Sequence, residues 1–237
     1  MPWWIFRSVA AAVAALAIMA GVVVVVDRAG RQHESVVAVL ANYFSYFTIV
    51  SGVVATIALT LAAARTRRAT ASMSRGLAVA MATASTSIIV LGIVYNVLLR
   101  ADYRGVPSDP AVIVVLDRFA IEALHIALPL YMAADLLLGP VTRRLSWRAL
   151  VVIIGYPLLW TAYTMIRGEL VPSPDGSTPW WYPYPFLDPH GPGGYPSVFA
   201  YIGGVAVAFL AVGALVVVVT RMRAESVGAK SGADAVP

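Results

Sequence analysis

Long apolar runs dominate this chain, and each is long enough to cross a bilayer as a helix. A hydrocarbon core of about 30 Å needs about 20 residues at about 1.5 Å per residue. No run shows the sustained alternation of a strand, and open strands leave backbone groups unpaired in lipid. The sequence therefore predicts an all-α, polytopic six-helix transmembrane bundle with spans at 4–26, 36–64, 77–99, 111–138, 149–166 and 196–220.

The composition leaves no room for a separate soluble domain. Hydrophobic residues make up 60% of the 237 positions and charged residues 12%, whereas about a quarter of the residues in soluble domains are charged. We assign residues 1–223 to one membrane domain and expect a disordered cytoplasmic tail at 224–237, which is rich in Ala, Gly and Ser. The absence of cysteine excludes disulfides and thiolate metal sites.

Basic residues in the short loops predict the orientation, because cytoplasmic loops are enriched in Lys and Arg. Eleven basic residues fall on one side of six alternating spans and five on the other, while Arg118 lies within a span. The richer side, which includes both termini, is expected to be cytoplasmic. It carries Arg7, Arg65, Arg67, Arg68, Arg75, Arg143, Arg144, Arg148, Arg221, Arg223 and Lys230, against Arg28, Arg31, Arg100, Arg104 and Arg167.

This distribution also explains the net charge of +5, so we expect no nucleic-acid partner. The expected partners are membrane lipids and a lipid substrate, and the oligomeric state is left open. The abundance of Ala, Val and Arg is typical of a bacterial chain from a GC-rich genome, which favours the cell membrane as its location.

The expected outer loop at 167–195 is the longest and is rich in aromatic residues and proline. Its segment from Trp180 to Phe186 precedes a Gly- and Pro-rich turn that ends at Gly194. Prolines oppose a regular helix, and aromatic side chains favour the headgroup level. Two interpretations stay open: an interfacial anchor, or a lid that helps to form a substrate site. We interpret His190 as a loop residue rather than a metal ligand.

The fourth span concentrates ionisable residues, namely Asp117, Arg118, Glu122, His125 and Asp135. Charged groups are costly in hydrocarbon, so they face the bundle interior and mark either function or pairing. Steps of three and four place Arg118, Glu122 and His125 on one side of the helix, which predicts an inward polar stripe. Glu122 has two candidate partners: it could orient the His125 ring or pair with Arg118.

The second span carries a polar face, since Asn42, Ser45, Thr48 and Ser51 recur at every third residue. In the predicted topology the second and fourth spans run in the same direction. Thr48 and His125 then lie at depths of roughly 18 and 21 Å from the outer ends of their helices. If the two faces pack together, a hydroxyl and an imidazole meet near the middle of the membrane.

Such a pair is suited to nucleophilic catalysis. An alcohol is inert at neutral pH until a base removes its proton, and neutral histidine has the pKa range for that task. Glu122 could act as the third member of a triad. Asn42, Asn96 and Tyr95 are candidates to stabilise an oxyanion. The structural alternative is that Thr48 is a packing residue, because intramembrane hydroxyls commonly bond to backbone carbonyls.

Short motifs in two spans resemble the androgen-induced-protein family of multipass membrane hydrolases. They are Tyr46-Phe47-Thr48-Ile49 in the second span, and Leu124-His125 followed by Pro129 in the fourth. Its bacterial six-span relatives are more similar still, sharing Phe44-Ser45 before the first motif and the loop segment Tyr182-Pro183-Tyr184-Pro185-Phe186-Leu187-Asp188.

The resemblance implies a threonine hydrolase that splits fatty acid esters of hydroxy fatty acids, with Thr48 as the nucleophile and His125 as its partner. The chain departs from the family in two places. Gly52 stands where the bacterial relatives often have Asn, and the aromatic-proline loop is not typical of the animal members. These departures leave the substrate open.

The sequence thus predicts a multi-pass membrane protein that hydrolyses a lipid or fatty-acyl ester and requires no metal or organic cofactor. Water would reach the pair through a polar cavity lined by Tyr95, Asn96, Arg118 and Glu122. The alternative is a transporter or proton-relay protein that uses Arg118, Glu122 and His125, although no internal repeat or paired broken helices are evident. A noncatalytic lipid-binding or assembly subunit is a third option.

Overall fold

The computed structural model describes residues 2–68, 73–103, 105–140 and 143–233, without the side chains of residue 102 and of 227–233. Arg104, used above for orientation, lies outside these residues. The described part of the chain is helical and contains no strand. Its helices are α1 (Trp3–Gln32), α2 (Val36–Tyr43), α3 (Phe47–Arg67), α4 (Arg75–Val94), α5 (Ala111–Glu122), α6 (Leu128–Leu138), α7 (Ala149–Gly168) and α8 (Gly194–Ala233).

Five helices are long and apolar enough to cross a membrane. By length and composition they are Trp3–Gln32, Phe47–Arg67, Arg75–Leu99, Ala149–Gly168 and Gly194–Ser226. The expected span at 111–138 is also helical throughout, because α5 and α6 are joined by a π-helical turn, Ala123–Ala127. A second π turn, Tyr95–Leu99, extends α4.

The segment 36–64, expected as one span, is not a single helix in the structure. It is divided into α2 and α3 by a turn at residues 44–46, and α3 continues to Arg67. The Ser45 hydroxyl donates to the Ala41 carbonyl at 2.7 Å, and the Trp160 indole donates to the Ser45 carbonyl at 3.0 Å. Polar side chains that bond to nearby backbone compete with the helix ladder. As a result, Thr48 lies in the first turn of α3 instead of the middle of a long helix.

Small buried residues let α1 and α3 pack closely along their length. Ala14 and Ala17 of α1, and Ala55 and Ala62 of α3, are almost fully buried. At one end of this pair, Arg7 of α1 forms an ion pair with Asp135 of α6, with Nε to Oδ1 at 2.8 Å. Arg7 also donates to Thr66 of α3 at 2.7 Å. We call this end of the bundle the Arg7 end. The opposite end carries the loop between α7 and α8, and we call it the loop end.

The last helix continues beyond the span end expected at residue 220. The sequence predicts disorder from residue 224, whereas α8 is helical to Ala233; residues 234–237 lie outside the described part. Arg223 donates to the carbonyls of Leu136 and Gly139 at 2.6 and 2.5 Å. Glu225 forms an ion pair with Arg144 at 3.1 Å. These contacts hold this part of α8 against the end of α6.

Candidate active site

Thr48 and His125 lie side by side in the structure. The Thr48 Oγ1 atom is 3.4 Å from His125 Nε2 and 3.3 Å from the hydroxyl of Tyr184. Thr48 comes from the first turn of α3, His125 from the π turn between α5 and α6, and Tyr184 from the loop between α7 and α8. Thr48 is buried, with 7% of its surface exposed. Three distant parts of the chain therefore converge on one hydroxyl group.

The His125 ring is oriented by a hydrogen bond to its own helix. Its Nδ1 atom lies 2.9 Å from the Ile121 carbonyl oxygen. A carbonyl only accepts, so Nδ1 carries the proton, and the Nε2 atom of a neutral ring is left as an acceptor facing Thr48. The ring also stacks on Tyr95, with centroids 3.9 Å apart. This is the arrangement that a general base requires.

Pro129 and Asn96 explain the local backbone around His125. Proline has no N–H, so Pro129 cannot donate to the carbonyl four residues earlier, which belongs to His125. Asn96 supplies the missing donor, since its Nδ2 lies 3.1 Å from the His125 carbonyl oxygen and 2.8 Å from that of Gly92. π turns often occur at functional sites. Here His125 and Tyr95 each lie in one.

Glu122 bonds with neither of the partners expected from sequence. Its carboxylate forms an ion pair with Arg100 at 2.8 Å, and both side chains are exposed. Arg100 in turn donates to Asn96 Oδ1 at 3.0 Å. Arg118 is exposed too. Of the three residues of the expected inward stripe, His125 is therefore the one that faces the bundle interior. The partner of Glu122, Arg100, belongs to the segment after α4. The spacing of residues within one helix cannot predict such a contact with another segment.

Three of the four polar residues of the second span have side-chain hydrogen bonds to α7. Arg167 of α7 donates to Asn42 Oδ1 at 2.7 Å, while Asn42 Nδ2 has no partner among the described residues. Ser45 lies 3.0 Å from the Tyr163 hydroxyl, and Ser51 lies 3.1 Å from that of Tyr156. Of the four expected residues, Thr48 is the one whose side chain meets His125.

An apolar cavity of about 90 Å³ borders the Thr48 hydroxyl and the His125 ring. Its wall comes from α3, α4, α7, α8 and the loop between α7 and α8, and includes Phe47, Leu91, Trp160, Phe186, Val205 and Phe209. An apolar groove of about 360 Å³ between α4 and α8 shares Val94 and Val205 with this cavity and includes Val97, which is 73% exposed. Such walls suit an acyl chain.

A polar cavity of about 530 Å³ lies at the loop end. It shares Tyr95 with the apolar cavity, and its wall includes Arg100, Asp117, Arg118 and Glu122. Tyr95, whose ring stacks on His125, thus lines both cavities. The charged side chains of the polar cavity can hold water.

The loop between α7 and α8 supplies the residue that sequence reasoning did not single out, Tyr184. The loop is fastened close to α7. The Trp181 amide donates to the Gly168 carbonyl at 2.9 Å, and Arg167 lies over the Trp181 ring. Tyr182 donates to Glu169 at 2.7 Å, and His190 Nε2 lies 3.1 Å from the same carboxylate. In the sequence, the unusual Tyr-Pro-Tyr-Pro-Phe segment is the feature from which a role of Tyr184 could have been inferred.

No family model, curated protein or solved structure matches this chain. Among the described residues, no group of three or more His, Asp or Glu side chains is arranged to hold a metal ion. Functional inference therefore rests on the geometry around Thr48.

Proposed function

We propose that this protein is a membrane hydrolase that cleaves a lipid or fatty-acyl ester with Thr48 as nucleophile and His125 as base. The observation that carries the proposal is the contact of Thr48 Oγ1 with the unprotonated Nε2 of His125 at the wall of an apolar cavity. A nucleophile and a base within reach, with a third group that orients the base, is the common pattern of covalent catalysis. Here the Ile121 carbonyl orients the ring.

The reaction would proceed in two halves. His125 Nε2 takes the Thr48 proton while Oγ1 bonds to the ester carbonyl carbon, and the carbonyl π electrons move to the oxygen. The C=O bond re-forms as the bond to the leaving alcohol breaks, and the alcohol oxygen takes the proton from His125. Water then attacks the acyl-threonine with His125 as base, which releases the fatty acid and free Thr48.

The substrate class follows from the two cavities. The apolar cavity and the groove between α4 and α8 would hold the acyl chain, which enters from the bilayer. The polar cavity, which shares Tyr95 with the apolar one, would admit water and release the more polar product. Fatty acid esters of hydroxy fatty acids, which the resemblance to the androgen-induced-protein family implies, are one substrate of this kind.

The proposed setting is the cell membrane, with six spans and both termini in the cytoplasm. The segment 111–138 would be the sixth span in addition to the five candidate helices. Its three carboxylates have partners: Asp135 pairs with Arg7, Glu122 with Arg100 and Asp117 with Arg28. Paired charges are the form in which ionisable residues occur in membrane spans.

Turnover of a fluorogenic long-chain acyl ester by the purified protein in nanodiscs tests this function. We expect hydrolysis by the wild type, no acyl transfer in Thr48→Ala, and a rate lower by about 10²- to 10⁴-fold in His125→Ala. Thr56→Val is the matched control, because Thr56 lies on the same helix and donates to the Gly52 carbonyl at 2.8 Å. A wild type without turnover, or a Thr48→Ala variant with wild-type turnover, would overturn the proposal.

A further inference from the structure

The Tyr184 hydroxyl is held beside Thr48 by the packing of its ring. The ring meets Tyr46 and Trp160 edge to face, with centroids 5.5 and 5.9 Å away, and stacks on Phe186 at 5.2 Å. Since aromatic rings enclose it, the phenol has little freedom to turn its oxygen elsewhere. The oxygen lies 3.3 Å from Thr48 Oγ1, at the edge of the apolar cavity.

The first turn of α3, which carries Thr48, begins with amide groups that have no backbone acceptor among the described residues. Its N-cap residue, Tyr46, provides no side-chain cap. The Ile49 and Val50 amides both donate to the Tyr46 carbonyl at 3.1 Å, whereas those of Phe47 and Thr48 have no backbone acceptor among the described residues. Free amides at a helix start carry partial positive charge and favour an anion.

The environment keeps Tyr184 a proton donor. Burial raises the pKa of Tyr184 to about 12, and the neighbouring polar groups of Thr48 and Phe47 only partly oppose this rise. The phenol therefore carries its proton at neutral pH.

Three donors thus converge beside the nucleophile. An ester attacked by Thr48 develops negative charge on its carbonyl oxygen, which is attached to the carbon that Oγ1 approaches. Effective oxyanion donors lie about 2.7–3.1 Å from that oxygen. The donors beside the attacking atom are the Tyr184 hydroxyl, 3.3 Å from Oγ1, and the Phe47 and Thr48 amides, which begin the same helix and have no backbone acceptor among the described residues.

We propose that Tyr184 is a third catalytic residue, whose hydroxyl forms the oxyanion site of Thr48 together with the amides of Phe47 and Thr48. This inference rests on the proposed hydrolase function. In the resting site Tyr184 donates to Thr48 Oγ1, whose own proton points to His125. When Oγ1 bonds to the carbonyl carbon, the Tyr184 donor turns to the carbonyl oxygen, and no proton leaves the phenol. The loop between α7 and α8 is then a lid that completes the site.

Tyr184→Phe tests this role, because it keeps the ring and removes only the hydroxyl. Loss of one oxyanion donor lowers kcat by about 10²- to 10³-fold, and we expect that loss with an unchanged KM and an unchanged melting temperature. The matched control is Tyr195→Phe, since the Tyr195 ring packs on Phe199 at 6.0 Å, away from the described cavities, and its hydroxyl has no hydrogen bond in the described part of the chain. Its kcat is expected to equal that of the wild type.

Two outcomes separate this inference from the proposed function, and a second variant covers poor folding of the first. Wild-type kcat in Tyr184→Phe, with Thr48→Ala inactive, overturns the role of Tyr184 and leaves the hydrolase intact. A wild type that turns over no ester overturns both. If Tyr184→Phe folds poorly, 3-fluorotyrosine at position 184 replaces it: a more acidic phenol is a stronger donor and is expected to raise the acylation rate, and an unchanged rate contradicts the role.

Discussion

The His125 ring depends on several residues that share no sequence motif with it. The Ile121 carbonyl fixes its proton on Nδ1, Tyr95 stacks on its face, and Asn96 bonds to its carbonyl oxygen. Asn96 is needed because Pro129 cannot donate to that carbonyl. The backbone that carries the base is thus completed by a side chain from the π turn after α4.

Asn96→Ala should destabilise the protein and slow ester hydrolysis, because the His125 carbonyl then loses its donor. The net contribution of one such hydrogen bond is about 0.5–1.5 kcal/mol. Unfolding in mixed detergent micelles measures the free energy of unfolding, and the acyl ester assay measures the rate. Adding Pro129→Ala restores a backbone N–H in this turn and is expected to recover part of the stability. Equal stability of Asn96→Ala and the wild type would contradict this account.

At the residue scale, part of the site was predictable from the sequence. Helix depth placed Thr48 and His125 at the same level, and their atoms lie 3.4 Å apart in the structure. Neither of the two candidate partners of Glu122, His125 and Arg118, bonds with it, because it pairs with Arg100 from another segment. Tyr184 was not singled out, since a loop without periodicity gives no prediction of which side chain turns inward.

At the scale of elements, the break between α2 and α3 is the feature that shapes the site. A continuous helix over 36–64 would bond the Thr48 amide to a carbonyl four residues earlier, and no free amide would face the hydroxyl. The break depends on tertiary contacts, including the bond from the Tyr43 hydroxyl to the Ile18 carbonyl at 2.8 Å. The mean hydropathy of this run is that of one continuous span, so hydropathy cannot predict such a turn.

Another element contact ties the segment before α5 to α1 at the loop end. Arg28 bonds with Asp109 and Asp117, both at 2.6 Å, and Arg31 also bonds with Asp109. Hydrogen bonds from Arg28 hold the pKa of Asp109 below its usual value. A carboxyl group with a lowered pKa stabilises the folded state above its unfolded pKa, about 3.9. That contribution is lost as the pH falls through the lower, folded pKa.

Asp109→Asn is therefore expected to lower the melting temperature at pH 6 more than at pH 3. The reason is that acid at pH 3, below the unfolded pKa, already removes part of this contribution from the wild type. Thermal unfolding of both proteins at the two pH values measures the gap. Asp27→Asn is the control, since Asp27 forms a partly exposed i,i+4 pair with Arg31, which is worth little. A gap that does not change with pH would contradict the assignment.

At the scale of the whole molecule, the bundle contains two kinds of space that share Tyr95 in their walls. One is the apolar cavity with the neighbouring groove between α4 and α8, and the other is the polar cavity at the loop end. Composition and run length predicted an all-helical membrane protein. They could not predict these cavities, because the cavities depend on how the helices and the loop pack.

The proposed topology predicts where reporters will be found. A reporter inserted after Arg68 is expected in the cytoplasm, and one inserted at Gly176, in the loop between α7 and α8, on the outer side. Paired alkaline phosphatase and fluorescent protein fusions give opposite signals for the two locations. An extracellular reporter after Arg68 would invert the orientation, and identical locations at both positions would refute the number of spans between them.

The nucleophile itself can be identified by mapping the adduct of a fluorophosphonate probe on the purified protein by mass spectrometry. The account predicts an adduct on Thr48 that is absent in Thr48→Ala, forms much more slowly in His125→Ala and forms normally in Thr56→Val. An adduct on another residue, or labelling of Thr48→Ala equal to that of the wild type, would contradict the claim that Thr48 is the catalytic nucleophile.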